Sequence, residues 1–306
     1  MRLQVIHDTH YVYDHPVHAV AMEARLQPCN DEYQSRQRYR LAIVPKAPIE
    51  EYTTFSDLVV QYWTVLKASE VRIVSESIVD VRERPLTPIE VPPQELDPIG
   101  FYPYLHDTPL TEITPEIVEF ASQFSHSAAE DWYQTALSVR EAIHDLVDFQ
   151  SGKTTTDTTA TEILTLRCGV CQDFTHLMLA TIRQLGIPAR YTSGYLNQQL
   201  GQPPSQKQEM SAGVMRQEQF GGAPLLQKIL EHPLRGTGAS HAWCEVYFGP
   251  EHGWRGFDAA NNLLIDQNFV RIGAGRDFRD ITPVKGVHKG PAEEGLKVTV
   301  NVTPLT

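Results

Sequence analysis

A chain of 306 residues, 41% hydrophobic and 21% charged, has enough apolar material for two globular domains of ordinary size. Its net charge of −12 excludes the basic footprint of a nucleic-acid binder and disfavours attachment to an anionic membrane surface. No stretch approaches the roughly 20 apolar residues of a membrane span, and the first residues lack the apolar core of a secretory signal. A cytoplasmic protein is therefore expected, and four cysteines (Cys29, Cys168, Cys171 and Cys244) are too few for a disulfide framework in a chain this long.

In chain order, residues 1–90 read as an N-terminal β domain, an antiparallel sandwich or small barrel. Strands are predicted over 3–12, 37–44, 58–66 and 71–81, where branched and aromatic residues recur and no helical period stands out. Seven prolines fall between Pro85 and Pro109. Each removes a donor and biases its predecessor to extended backbone, so 91–112 reads as a surface-hugging linker. Phe101, Tyr102 and Tyr104 predict that it packs against the protein.

From 113 to 306 the pattern is a second, α+β domain. Thr114-Pro115 is a helix start, and Trp132, Ala136, Val139, Ile143 and Leu146 share one helical face. A further helix follows Cys171, with Phe174, Met178, Ile182 and Leu185 on its apolar face, and stops at Gly186-Ile187-Pro188. Strands are predicted at 189–196, 241–248 and 253–258. The segment 197–238 is too long for an ordinary connection and reads as an insertion, either a lid over a cleft or a surface loop, with a short helix at 223–234.

Three residues carry the chemistry. Cys171 opens a helix, where unpaired backbone N–H groups favour a thiolate. A lone cysteine is as often a small packing residue, but the neighbours Gln172 and Asp173 are polar. His241 starts a strand on which His241, Trp243, Glu245 and Tyr247 form a polar face, with Ala242, Cys244, Val246 and Phe248 apolar. Asp258 ends the next strand at a turn. Singly, the histidine could be a solvated residue and the aspartate a turn residue. Together they supply a thiol, a base and an orienting carboxylate in one chain.

Other motifs weigh less. Cys168 and Cys171 form a Cys-x-x-Cys without a second pair or the strand context of a redox motif. Ser151-Gly152-Lys153-Thr154 imitates the end of a phosphate loop, but Val147 stands where its first glycine is required. His7 and His10 alternate to opposite strand faces, which argues against a metal pair.

The ordered set Gly169-Val170-Cys171-Gln172-Asp173-Phe174, Leu185-Gly186-Ile187-Pro188-Ala189-Arg190-Tyr191, His241-Ala242-Trp243-Cys244-Glu245-Val246 and Gly253-Trp254-Arg255-Gly256-Phe257-Asp258 resembles the bacterial transglutaminase-like superfamily. Gly275-Arg276-Asp277-Phe278, with Asp280, Pro283 and Gly286, and at the other end His10-Tyr11-Val12-Tyr13 and Arg25-Leu26-Gln27-Pro28, extend the likeness to most of the chain. The resemblance implies a papain-like core, a helix bundle on an antiparallel sheet. It implies Cys171 as nucleophile, His241 as base and Asp258 as orienting group, with no cofactor and no metal. Catalysis would pass through a thioester on Cys171 formed from a peptide or carboxamide, with hydrolysis favoured over protein cross-linking and a non-catalytic binding module third. Peptide or protein substrate is expected to contact Gln172 and Trp243. The Cys171 N–H is one expected oxyanion donor; members of the family often carry a tyrosine near the position of Phe149, so the second donor is open here. Ala259-Ala260 also replaces the more usual Pro-Thr after the aspartate.

Overall fold

The computed structural model describes residues 1–54, 56–84, 89–93, 95–97, 99–197 and 239–305. Strict alternation makes β1 (Arg2–Ala24), which buries Leu3, Val5, His7, Thr9, Tyr11 and Tyr13 on one face. It runs antiparallel to β4 (Val59–Val81) from Arg2 opposite Asp80 to Ala24 opposite Gln61. The two strands predicted at 58–66 and 71–81 are thus one continuous strand. Lys67 has a positive φ of 52°, and the β1–β4 register shifts between Val12 and Val17. This bulge lets β1 pass through Asp14-His15-Pro16, because a proline is tolerated where the ladder is interrupted. β2 (Gln34–Val44) pairs the other side of β4, and β3 (Glu50–Thr53) pairs its early part.

The Pro-rich connection carries the one-turn helix α1 (Tyr102–Leu105) and packs on the second half of the molecule. Phe101 stacks 4.5 Å from Tyr247, and Tyr104 meets Trp254 edge-on at 5.2 Å. Helices follow: α2 (Pro115–Ser122), α3 (Ser125–Ala128), α4 (Trp132–Leu146) and, past the short strand β5 (Asp148–Phe149), α5 (Ala160–Leu166). Asp131 caps α4 by accepting from the N–H groups of Tyr133 and Gln134, and Thr159 with Glu162 closes a capping box on α5. After β6 (Cys168–Gly169) comes α6 (Cys171–Gln184).

The amphipathic α6 predicted from its apolar stripe is instead buried from Gln172 through Arg183. It contacts α2, α4 and α5 as well as β7 (Ala189–Leu196) and β8 (His241–Tyr247), so no side of it faces water. After α7 (Gly249–His252) come β9 (Trp254–Asp258), β10 (Leu263–Leu264) and β11 (Phe269–Gly275). The second sheet has the order β10-β9-β8-β7-β11 and is antiparallel throughout.

The chain then returns to where it began. β12 (Val284–Lys289) pairs the second half of β1, and β13 (Glu294–Leu305) pairs the first half. The last two strands of the span 113–306 therefore give their hydrogen bonds to the first sheet. Leu3, Val5, Val79, Val300 and Val302 also lie in one continuous core with Val139 of α4 and Met178 of α6. The architecture is mixed α+β: an antiparallel β region, then helices on an antiparallel sheet. Among the described residues, no helix is long and apolar enough to cross a membrane. The lid and helix expected at 197–238 fall outside the described residues, apart from Asn197.

Candidate active site

α5 ends where Arg167 turns left-handed at φ 52°, and β6 pairs in parallel with β5 to deliver the chain to the start of α6. Val170 occupies the cap position but has no polar side chain to cap with. Asp173 supplies what is missing: its Oδ2 accepts from the Val170 N–H at 2.7 Å and from the Thr154 hydroxyl at 2.7 Å. A side chain at Gly169 would put its Cβ 2.5 Å from that same oxygen, so this glycine is required by close approach. Burial raises the Asp173 pKa, opposed by these two hydrogen bonds. Cys171 is the first residue of α6 and only half-buried, and its backbone N–H has no partner among the described residues.

His241 sits at the start of β8, 1% exposed, and Asp258 at the end of β9 is fully buried. The imidazole Nε2 and Asp258 Oδ2 lie 2.7 Å apart. The carboxylate is held in turn: Oδ1 accepts from the Asn261 N–H at 3.1 Å and Oδ2 from the Asn261 amide at 2.7 Å. Ala259 and Ala260, the departures from Pro-Thr, pack into the core and leave the carboxylate in place. The other ring nitrogen, Nδ1, is buried without a hydrogen bond among the described residues, and the Cys171 thiol lies near enough to act on the ring. Burial alone would lower the His241 pKa. The Asp258 charge and hydrogen bond outweigh it, the Cys171 thiol adds to them, and the imidazole is pushed up to about 10.

Cys171, His241 and Gln172 line one cleft of about 310 Å³. Phe149, Phe278 and Pro283 form apolar parts of its wall, and among the described lining residues the charge-bearing group is His241. Gln172 reaches the cleft, but its amide donates to the Thr156 carbonyl at 3.2 Å. Trp243 does not reach it. Its side chain, expected to contact substrate, is 0% exposed and packs with Leu196, Ile265 and Phe269. The polar face read for β8 is likewise buried, because Glu245 meets Arg190 at 2.7 Å and Arg271 at 3.4 Å. Arg271 continues to Asp31, closing the charge cluster against the N-terminal region.

Cys168 and Cys171 are both free, and Cys168 stands in the β5–β6 pair. Ser151 of the false phosphate loop lines the cleft, and Thr154 of the same loop holds Asp173. The capping role of Asp173 and the places of His176 and Tyr191 beside the site escaped the sequence reading. An aspartate three places after a helix start was a usable signal for the first. His176 and Tyr191 carried none, since a residue inside a buried helix or strand reads as core.

A thiol at a helix start and a buried His–Asp pair thus stand at one cleft, on helices backed by an antiparallel sheet. The transglutaminase-like superfamily model matches residues 119–259, and the bacterial transglutaminase-like N-terminal region matches 3–80. The chain belongs to the transglutaminase-like superfamily. It is 27% identical over 316 residues to an uncharacterized protein of Mycobacterium leprae, covering 99% of each. It is 29% identical over 321 residues to an uncharacterized protein of Mycobacterium tuberculosis, covering 99% of this chain and 93% of that one. A crystal structure of a candidate cysteine protease from Cytophaga hutchinsonii has the same fold, with a TM-score of 0.73 and 22% identity over 100% of this chain and 92% of that one.

Proposed function

We propose that this chain is a thiol hydrolase that cleaves a peptide or carboxamide bond through a thioester on Cys171. The observation that carries the reading is the buried imidazole of His241, bonded by Nε2 to Asp258 at 2.7 Å and with Nδ1 left open beside the Cys171 thiol. Cys171 is the nucleophile, His241 takes its proton and returns it to the leaving amine, and Asp258 orients the ring and stabilises its cation. A raised imidazole pKa favours the thiolate–imidazolium pair over the neutral pair. The cleft walls suit a neutral acyl group, since the described lining offers no carboxylate or guanidinium to meet a charged one. Water as the acyl acceptor requires no second binding site, which places hydrolysis ahead of transfer to an amine. The four free cysteines suit the reducing cytoplasm; recovery of the protein from cells with its thiols oxidised would exclude that location.

The test is alkylation by iodoacetamide at neutral pH. Cys171 is expected to react faster than a free model thiol and to lose that advantage in His241→Ala. Equal rates in the two proteins would sink the triad. Turnover of a peptide and isopeptide library by the wild type but not by Cys171→Ala identifies the substrate. Incorporation of a primary amine into a glutamine peptide would instead assign transfer.

A further inference from the structure

A thiolate attacking a carbonyl develops negative charge on the carbonyl oxygen, and this charge is stabilised by preorganised donors. The unpaired Cys171 N–H is one such donor. Around the rest of the cleft, Phe149 has no donor, the Gln172 amide is engaged by Thr156, and Ser151, Ser193 and Ser240 offer hydroxyls on short side chains. Tyr191 of β7 lines the same cleft and is 2% exposed. Its ring lies between His176, 5.3 Å away, and Phe278, met edge-on at 6.2 Å. His176 is itself fixed, with Nε2 accepting from the Phe278 N–H at 3.2 Å. The phenol ring is therefore packed between two aromatic neighbours. Its hydroxyl has no hydrogen-bond partner among the described residues and is not among the buried orphaned atoms, so it is free to meet a ligand. Burial holds its pKa well above the ordinary phenol value, and the Cys171 thiol is the foremost charge adding to that rise. The phenol thus stays a donor, in the neighbourhood of the nucleophile.

We propose that the Tyr191 hydroxyl is the second oxyanion donor, touching the oxygen of the acyl group that Cys171 attacks. The inference rests on the thiol-hydrolase reading. As the S–C bond forms, the carbonyl π pair moves onto oxygen, which accepts from the Cys171 N–H and the Tyr191 O–H. The pair returns as the bond to the leaving group breaks. An amine departs with the proton held by His241, and Tyr191 transfers none.

Two reagents separate this role from a structural one. p-Nitrophenyl acetate acylates the thiol through a tetrahedral oxyanion and expels p-nitrophenolate, which is read directly as a burst. Iodoacetamide alkylates the same sulfur by displacement of iodide and forms no oxyanion. In Tyr191→Phe the acylation rate is expected to fall about 100-fold while alkylation stays within about twofold of the wild type. A parallel loss in both reactions would make Tyr191 a support of the thiolate or of the fold, and overturn the proposal. An unchanged acylation rate would overturn it too, as would the selective loss appearing in Ser193→Ala and not in Tyr191→Phe. If wild-type Cys171 reacts with neither reagent, the hydrolase reading itself fails and the donor falls with it. Fast alkylation with wild-type-like acylation of Tyr191→Phe removes the donor alone.

Discussion

Asp258 acts on His241 through one 2.7 Å contact in a site from which water is excluded, so its charge has a large effect on the ring. Replacing it by asparagine keeps the shape and removes the charge. Asp258→Asn is expected to lower kcat by roughly a thousandfold or more, measured as steady-state turnover once a substrate is in hand. The same contact should appear in stability. The His241 pKa rises from 6.5 to about 10 on folding, so its stabilising contribution is complete below 6.5 and is lost as pH climbs through about 10. Urea midpoints for the wild type should fall over that window more steeply than those of Asp258→Asn; parallel slopes would remove the linkage. At Gly169 the limit is space. Gly169→Ala pushes a methyl group against Asp173 Oδ2 and disturbs the start of α6, with an expected loss of about 1–3 kcal/mol in urea denaturation.

At the scale of elements, α6 is the centre of the second half of the molecule, and Arg183 near its end ties four segments together. Its guanidinium donates to the Ala189 carbonyl at 2.9 Å, to the Arg276 carbonyl at 2.6 Å and to the Thr111 hydroxyl at 3.1 Å. Burial lowers its pKa to about 10, opposed by the nearby Cys244, Asp277, Asp107 and Asp280. The strand β7, the Asp277–Phe278 segment that borders the cleft and the approach to α2 are thereby fixed to α6. Arg183→Ala would take the guanidinium from two backbone carbonyls, leave the Thr111 hydroxyl with Thr108 alone and open a void. A loss of about 3 kcal/mol or more is expected, read as a lowered thermal midpoint. If the midpoint stays within a degree, water replaces the guanidinium and the tie has no structural weight.

At the scale of the molecule, the two halves share one core. β12 and β13 bring the end of the chain back along β1, and Val300 and Val302 sit in the cluster that holds α4 and α6. Buried charge joins the halves as well, through Glu245, Arg271 and Asp31. A fragment spanning 113–283 would expose the apolar face that Leu3, Val5 and Val79 now cover. It is expected to aggregate or to unfold without a cooperative transition by circular dichroism, whereas the whole chain is expected to unfold in one transition because the halves share a core. A fragment that melts sharply would show the core to be self-sufficient and the shared cluster to be incidental.

What the sequence determined by itself is the local part of this protein. A helical period marked α4 and α6, strands were predicted where β1, β7, β8 and β9 lie, and Cys171, His241 and Asp258 could be named because each sits at the end of an element that its own neighbours define. Alternation states that two sets of side chains face opposite ways and is silent about what covers each face. The polar face of β8 therefore read as solvated although Glu245 and His241 are buried there, and Trp243 read as a substrate contact although Leu196, Ile265 and Phe269 enclose it. Strands β12 and β13 went unread for a related reason: their partner, β1, lies at the far end of the chain, and pairing over that distance leaves no local mark. Only the tertiary structure brought His241, Cys171 and Tyr191 to one cleft. Direction and distance between side chains are properties of packed elements, and packing is decided by surfaces that meet only once the chain has folded.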